Sequence, residues 1–390
     1  MLPIRTFLSY SRADENLVIP AERILCERGV RTWRDVHDLP AGPTPESLEE
    51  AIHSCNGFLI FASRNSASSP TIREKELPEA ARCTRAKTGF FLLPAFLLSP
   101  HEASEAFQGC IDVPLSTFAG VVIRMDNQAD SFRALARLAF DRLFPALSDP
   151  VQLEATSRYR PPGDIGLDLS GCLEPNGRRI RPDSFQHALL AGIDIHNRIA
   201  ERGIQRAEIK LKVHLSLAVA LGLAFPATGG VRVTAVTTER HPPERSGSLR
   251  ATVTVQEGAL GGSSIVTRIS VSQDVSHAAR TAMATRAAQV RAVVDYSPAT
   301  GIGPSSITSP EAEESLAREV AADVKSKVRS FGVREIHLFL SSTVGFAFAL
   351  GQNLSSTANI AAYDFDSTTT ECYPTGSSGG ALEMHNGATE

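Results

Sequence analysis

Residues 334–354 read REIHLFLSSTVGFAFALGQNL, and residues 207–225, AEIKLKVHLSLAVALGLAF, read almost the same way. Laying Ala349-Leu350-Gly351 over Ala220-Leu221-Gly222 sets an offset of 129 residues. Glu335-Ile336 then falls near Glu208-Ile209 with a slip of two residues, and Ile360 falls on Val231. Each copy reads as a strand, a short polar loop and a helix of small residues. A further strand follows each one, VRVTAV (231–236) and NIAAYDF (359–365). The pattern predicts one β-loop-α-β unit built twice. Gly345, Ala347, Ala349 and Gly351 leave room for the helix to lie close to its sheet.

In such a unit the helix N-terminus points at the loop, where the loop amides and the positive end of the helix dipole favour an anion. Two units facing across a pseudo-two-fold axis set two such loops side by side, which suits a ring carrying several phosphates. The loop residues are Lys212 and His214 in the first copy and Ser341, Ser342 and Thr343 in the second. Lysine would meet phosphate as a point charge, and the hydroxyls would bond phosphate or base edges. Each of the five is equally a surface or capping residue by type. His337, inside a strand, reads as a packing residue.

The first third alternates strand and helix. Strands are expected at IRTFLSYS (4–11), VRTWRD (30–35), GFLIFAS (57–63), GFFLLPAFLL (89–98) and GVVIRM (120–125). Between them lie a helix capped by Asp14 and closed by Gly29, another at 45–55 with Pro45 near its start, and a third within 71–87. SFRALARLAFDRLF (131–144) is the last. Five strands alternating with helices predict a doubly wound parallel sheet, whose ligands bind at the carboxyl ends of the strands.

Composition removes several function classes. The 390 residues are 42% hydrophobic and 21% charged, as in ordinary globular proteins, and the net charge of -4 gives no footprint for duplex nucleic acid or an anionic membrane. The six cysteines form no C-x-x-C pair and the histidines form no H-x-x-x-H, so no metal site is expected. FFLLPAFLL is too short to span a membrane and is broken by Pro94. The N-terminus lacks a signal-peptide pattern, and a cytoplasmic location is expected. TGIGPSS (300–306) lacks the third glycine of a dinucleotide fingerprint.

FLSYSRADE, then LCERGVRTWRDVHDLPAG, then AIHSCNGFLIFAS, in that order, resemble a TIR domain over about residues 1–145. Ser9-Tyr10-Ser11 resembles the end of its first strand. Trp33-x-Asp35 followed by Leu39-Pro40-x-Gly42 resembles its second strand and BB loop. The resemblance implies a flavodoxin-like parallel sheet and, as in many bacterial TIR domains, cleavage of NAD+ at the nicotinamide–ribose bond by one glutamate. Matching SSPTIREKELPEAA to the family pattern places that glutamate at Glu76, with Glu74 in reserve. Two departures stand out: Ile72 replaces the family tryptophan, and Pro78 disfavours helical geometry at Leu77. Phe7, Ser9, Arg12, Trp33 and Asp35 are the expected substrate-binding residues, Phe7 or Trp33 as a ring wall for nicotinamide and Asp35 equally as a loop cap.

IHLFLSSTVGFAFALGQNL…IAAYDFD, with its counterpart upstream, resembles a SAVED domain, two fused CARF-like Rossmann units, over about 150–390. A Pro-rich linker is expected at 146–165, the SAVED domain at 166–390 with halves at 166–265 and 266–366, and a partly disordered tail at 367–390. The two resemblances together imply an effector of a CBASS antiphage system. A cyclic trinucleotide, cyclic tri-adenylate first among them, would activate it and drive head-to-tail filament assembly. NAD+ would be substrate, with no further cofactor, and the product either hydrolysed or cyclised ADP-ribose. A non-enzymatic TIR adaptor is the alternative, favoured by Ile72 and Pro78.

Overall fold

The computed structural model of the chain describes residues 4–34, 45–143, 150–157, 165–174, 179–236, 251–257, 261–303, 306–307, 309–355, 357–366 and 371–378. Two compact units result, Met1–Glu154 with Arg160–Asp168, and Ala155–Tyr159 with Leu169–Glu390.

In the first unit the chain runs β1 (Thr6–Ser9), α1 (Glu15–Glu27), β2 (Thr32–Trp33), α2 (Pro45–Ser54), β3 (Gly57–Ala62), α3 (Arg64–Ala67), α4 (Leu77–Ala86), β4 (Phe91–Phe96), α5 (Pro100–Ala106), β5 (Val121–Val122) and α6 (Gln128–Leu143). The five strands form one parallel sheet in the order β2-β1-β3-β4-β5, the flavodoxin-like arrangement expected. Strands β3 and β4 are buried along their whole length, which is why they read as unbroken apolar runs. Phe7 of β1 stacks on Trp33 of β2 at 4.7 Å between ring centres and on Phe58 of β3 at 5.3 Å. Register pairs Phe7 with both, so the three rings form one column through the core on that side of the sheet. Beyond α6 come β6 (Val151–Thr156) and β7 (Ile165–Asp168). Strand β6 lies inside the segment expected as linker, and all of its residues except Gln152 are buried.

The second unit continues with α7 (Ser184–Glu201), β8 (Arg206–Lys212), α8 (Leu215–Ala224), β9 (Arg232–Val236), β10 (Ala251–Glu257), β11 (Ser264–Ser270), α9 (Ser276–Met283), β12 (Val290–Pro298), α10 (Pro310–Phe331), β13 (Glu335–Ser341), α11 (Val344–Leu354), β14 (Asn359–Asp366) and β15 (Glu371–Ser377). Both predicted copies are present: β8-α8-β9 and β13-α11-β14 each pair their two strands in parallel. The larger sheet has the order β10-β12-β11-β13-β14-β15, with four parallel inner strands and an antiparallel strand on each edge. Strand β10 belongs to this sheet although it precedes the expected half boundary at 265. The expected partly disordered tail contributes β15, held by pairing to β14. Residues 237–250 and 379–390 lie outside the described residues.

Helices α8 and α11 meet at their aligned glycines. A Cβ on Gly222 would lie 2.1 Å from Phe348 O and 2.9 Å from Gly351 Cα. One on Gly351 would lie 2.3 Å from Val219 O and 3.0 Å from Gly222 Cα. Backbone touches backbone here, and only the absence of a side chain on each helix permits it. Gln352 fastens the crossing, its Nε2 donating to Phe225 O (3.1 Å) and Val233 O (2.9 Å). Helix α8 is buried from Ser216 to Ala224, which explains a sequence apolar on every face. No helix among the described residues is long and apolar enough to cross a membrane.

Candidate functional site

In the first unit the carboxyl end of β1 and the start of α4 bring two sequence-predicted residues together. Ser9 is buried, and its Oγ donates to Glu76 Oε2 at 2.6 Å. Glu76 ends a π-helical turn, Ile72–Glu76, in which Leu77 N–H reaches back to Ile72 O. That turn answers the difficulty posed by Pro78. Proline has no N–H for the carbonyl of Glu74 and its ring crowds that carbonyl, so the chain widens by one residue instead of breaking. Leu77 therefore stays helical (φ -69°, ψ -42°), contrary to the expectation from its position before proline. Buried Ile72 and Leu77 anchor the turn in the core, Glu76 is half-buried, and the reserve candidate Glu74 is exposed.

Arg12 is exposed on the 3-10 turn Arg12–Asp14 that follows β1. Phe7 and Trp33 are 2% and 4% exposed, stacked inside the core, and offer no open ring face in this conformation. The nicotinamide wall expected of them is therefore not formed; pairing in β1 and β2 turns both rings inward. Asp35 and the BB-loop residues Leu39, Pro40 and Gly42 lie outside the described residues.

A second carboxylate was missed by sequence reasoning. Asp14, expected only as a helix cap, makes no cap bond; its buried carboxylate accepts from Ser63 Oγ (2.6 Å) and Asn65 Nδ2 (2.7 Å). It ties the turn after β1 to the turn after β3. The guanidinium of Arg34 is buried as well, 3.3 Å from Glu22 and over the Tyr10 ring at 5.5 Å.

In the second unit the two repeat loops are finished differently. Asp364 of β14 in the second copy accepts from both Ser216 N (3.1 Å) and Ser216 Oγ (2.8 Å) at the start of α8 in the first. The anion-favouring N-terminus of α8 is thus occupied by the chain's own carboxylate. Burial pushes the Asp364 carboxyl above its ordinary range, against the opposing pull of His214 and the two Ser216 bonds. His214 stands at the N-cap without a side-chain cap bond, and its Nδ1 shares a hydrogen bond with Ser157 Oγ at 3.0 Å. Lys212, at the end of β8, is exposed.

In the second copy Thr343 caps its own helix by accepting from Phe346 N at 3.2 Å. Ser341 is buried and shares a hydrogen bond with Ser272 Oγ at 2.8 Å. Ser342 Oγ donates to Thr343 O at 3.0 Å. His337 is buried in β13 against Tyr363, whose hydroxyl lies 3.2 Å from its Nδ1, as a packing residue should be. A cavity of about 510 Å³ opens elsewhere, along β9, α10 and α11, lined by Arg232, Glu311, Glu314, Arg318 and Gln352. None of the five loop candidates lines it.

Two family models match. The TIR domain model covers residues 6–136, and the model described as "SMODS-associated and fused to various effectors sensor domain", SAVED, covers residues 194–376. No curated protein matches the chain. Similar solved structures include the Acinetobacter baumannii Cap4 SAVED/CARF-domain containing receptor with the cyclic trinucleotide 3'3'3'-cAAA, at 15% identity and TM-score 0.47, covering 86% of each chain. The same receptor with 2'3'3'-cAAA matches at 14% identity, TM-score 0.47 and the same coverage. The Moraxella osloensis Cap4 receptor matches at 16% identity and TM-score 0.41, covering 96% of this chain and 87% of that one. The chain joins an N-terminal TIR domain to a C-terminal SAVED domain.

Proposed function

We propose that the chain is a CBASS effector in which a cyclic oligonucleotide bound by the SAVED domain switches on NAD+ cleavage by the TIR domain. The observation that carries the catalytic half is the 2.6 Å bond from Ser9 to Glu76 at the carboxyl end of a parallel strand. Such strand ends are where doubly wound sheets bind ligands. Nicotinamide leaves as a neutral pyridine from a cationic ring, so no general acid is needed. The ribosyl centre gains positive charge as the bond breaks, and one fixed carboxylate stabilises it. Glu76 takes that role; Ser9 holds its carboxylate in place; Arg12 meets the substrate phosphates. Phe7 and Trp33, closed in the core, support the strand ends from below rather than walling the nicotinamide.

The activator in this reading is a cyclic trinucleotide, with cyclic tri-adenylate the first choice. Lys212, His214, Ser341, Ser342 and Thr343 surround the two strand-to-helix loops, and Asp364 must be rearranged or incorporated when phosphate approaches α8. Binding drives head-to-tail filament assembly, in which neighbouring TIR domains complete each other's site. Either water or an adenine nitrogen of the same molecule accepts the ADP-ribosyl group.

The test is NAD+ consumption by the full chain with and without a panel of cyclic di- and trinucleotides, alongside direct binding of each ring. Nicotinamide release with one ring only supports the proposal. If a site spans two protomers, turnover per molecule also rises with protein concentration at saturating ligand; a constant value across the assembly range sinks the filament step. Ring binding without release favours the second reading, a non-enzymatic TIR that only assembles. The aliphatic Ile72 and the closed Phe7–Trp33 stack favour that reading.

A further inference from the structure

On the first unit, His53, Glu79 and Cys83 bring three different metal-ligand chemistries to one point, their ligand atoms all within 4.8 Å of one another. Glu79 and Cys83 stand four residues apart on α4 and so share one helix face. His53, in the last turn of α2, approaches from the neighbouring helix and donates from Nε2 to Glu79 Oε1 at 2.6 Å. Cys83 Sγ lies 3.8 Å from the same oxygen. Glu79 and Cys83 are each 1% exposed, whereas the His53 side chain is 51% exposed. The cluster is therefore walled by protein on one side and open to water on the other.

An ion pair alone would account for His53, Glu79 and the contact between Arg82 and Glu79. Cys83 packs in the hydrophobic core with Leu77 and Ala80, and its thiol is set against the same carboxylate oxygen. Imidazole, carboxylate and thiolate together suit a borderline-soft ion, whereas magnesium and calcium prefer oxygen alone. Tetrahedral zinc separates such ligand atoms by roughly 3.3–3.7 Å. The Cys83–Glu79 distance of 3.8 Å lies just outside that range, and the His53–Glu79 contact needs to open by roughly 0.7 Å. Arg82, whose side chain is 64% exposed, has solvent to swing into.

We propose that His53, Glu79 and Cys83 form a three-ligand site for a divalent cation of the zinc class, with water in the fourth position. On binding, the Cys83 thiol releases its proton to solvent. His53 turns its Nε2 lone pair to the ion, the ring proton residing on Nδ1. The ion replaces the positive charge that Arg82 supplies to Glu79. It pins α4 to α2 one turn beyond Glu76.

The test titrates the metal-stripped full chain with Co²⁺, whose tetrahedral thiolate complexes absorb in the visible and show a sulfur-to-cobalt charge-transfer band. One equivalent is expected to bind with that band, and Zn²⁺ should displace it. Cys83→Ser should abolish the charge-transfer band. His53→Gln, at an exposed position that leaves the core intact, should weaken binding at least tenfold. Arg82→Gln should tighten it several-fold by removing the competing cation. Absence of the band at excess Co²⁺, or a band unchanged in both Cys83→Ser and His53→Gln, overturns the proposal.

Discussion

The two copies of the repeat are alike where their helices cross and unlike where their helices begin. At the crossing, Gly222 and Gly351 play one role from two sides, each leaving the space that the other's backbone fills. At the starts, α11 is capped locally by Thr343, while α8 is capped by Asp364 from the other copy, 148 residues away. Duplication explains the first feature. The second shows that one copy has become dependent on the other, so the halves are coupled through a buried carboxylate at a loop expected to meet the ligand.

The largest effect should come from breaking the symmetric part. Gly351→Ala places a methyl into Val219 O and the Gly222 backbone, and should destabilise the second unit by about 1–3 kcal/mol despite alanine's better helix propensity. Gly222→Ala should cost a similar amount. Because both press on one contact, the double variant should lose clearly less than the sum, as read by denaturant unfolding. Fully additive losses would mean that the helices do not share a single crossing.

The asymmetric part gives the next effect. Asp364→Ala leaves the buried Ser216 amide and hydroxyl without their acceptor and should cost about 2 kcal/mol. Thr343→Ala removes only a local cap and should cost about 1 kcal/mol. Equal losses would erase the distinction between the two helix starts.

The smallest effect is on pH dependence. Burial of His337 lowers its pKa, against the pull of Glu335 at 3.7 Å. The unfolded chain therefore takes up the proton first as pH falls below about 6.5, so stability is present above that pH and is lost on acidification. Asp364, with its pKa raised, has the opposite sign: the folded state binds its proton more readily. Between pH 7.5 and 5.5, His337→Gln should flatten the fall in melting temperature; an unchanged slope would place the acid sensitivity elsewhere.

What the sequence made legible was what repeats or alternates. Apolar runs at 57–62 and 91–96 announced the central parallel strands, and the aligned Ala-Leu-Gly triplets announced the duplicated unit. Features that depend on distant partners left no such trace. Asp14 resembles any helix cap until Ser63 and Asn65 fold onto it. Asp364 sits in a strand pattern that says nothing of Ser216. Trp33 is an aromatic near a strand end, and only its pairing beside Phe7 turns it inward. Pro78 signalled non-helical geometry at Leu77, whereas Leu77 stays helical after a π turn that presents Glu76 to Ser9.

That presentation is the centre of the account, and one measurement addresses it directly: nicotinamide release from NAD+ by the wild-type chain and by Glu76→Gln, at saturating cyclic tri-adenylate and equal ligand occupancy. The account predicts release by the wild type and a loss of about 100-fold or more in Glu76→Gln, with the melting temperature little changed. Glu76→Gln releasing nicotinamide at the wild-type rate would contradict it, as would a wild-type chain that binds the ring and releases none.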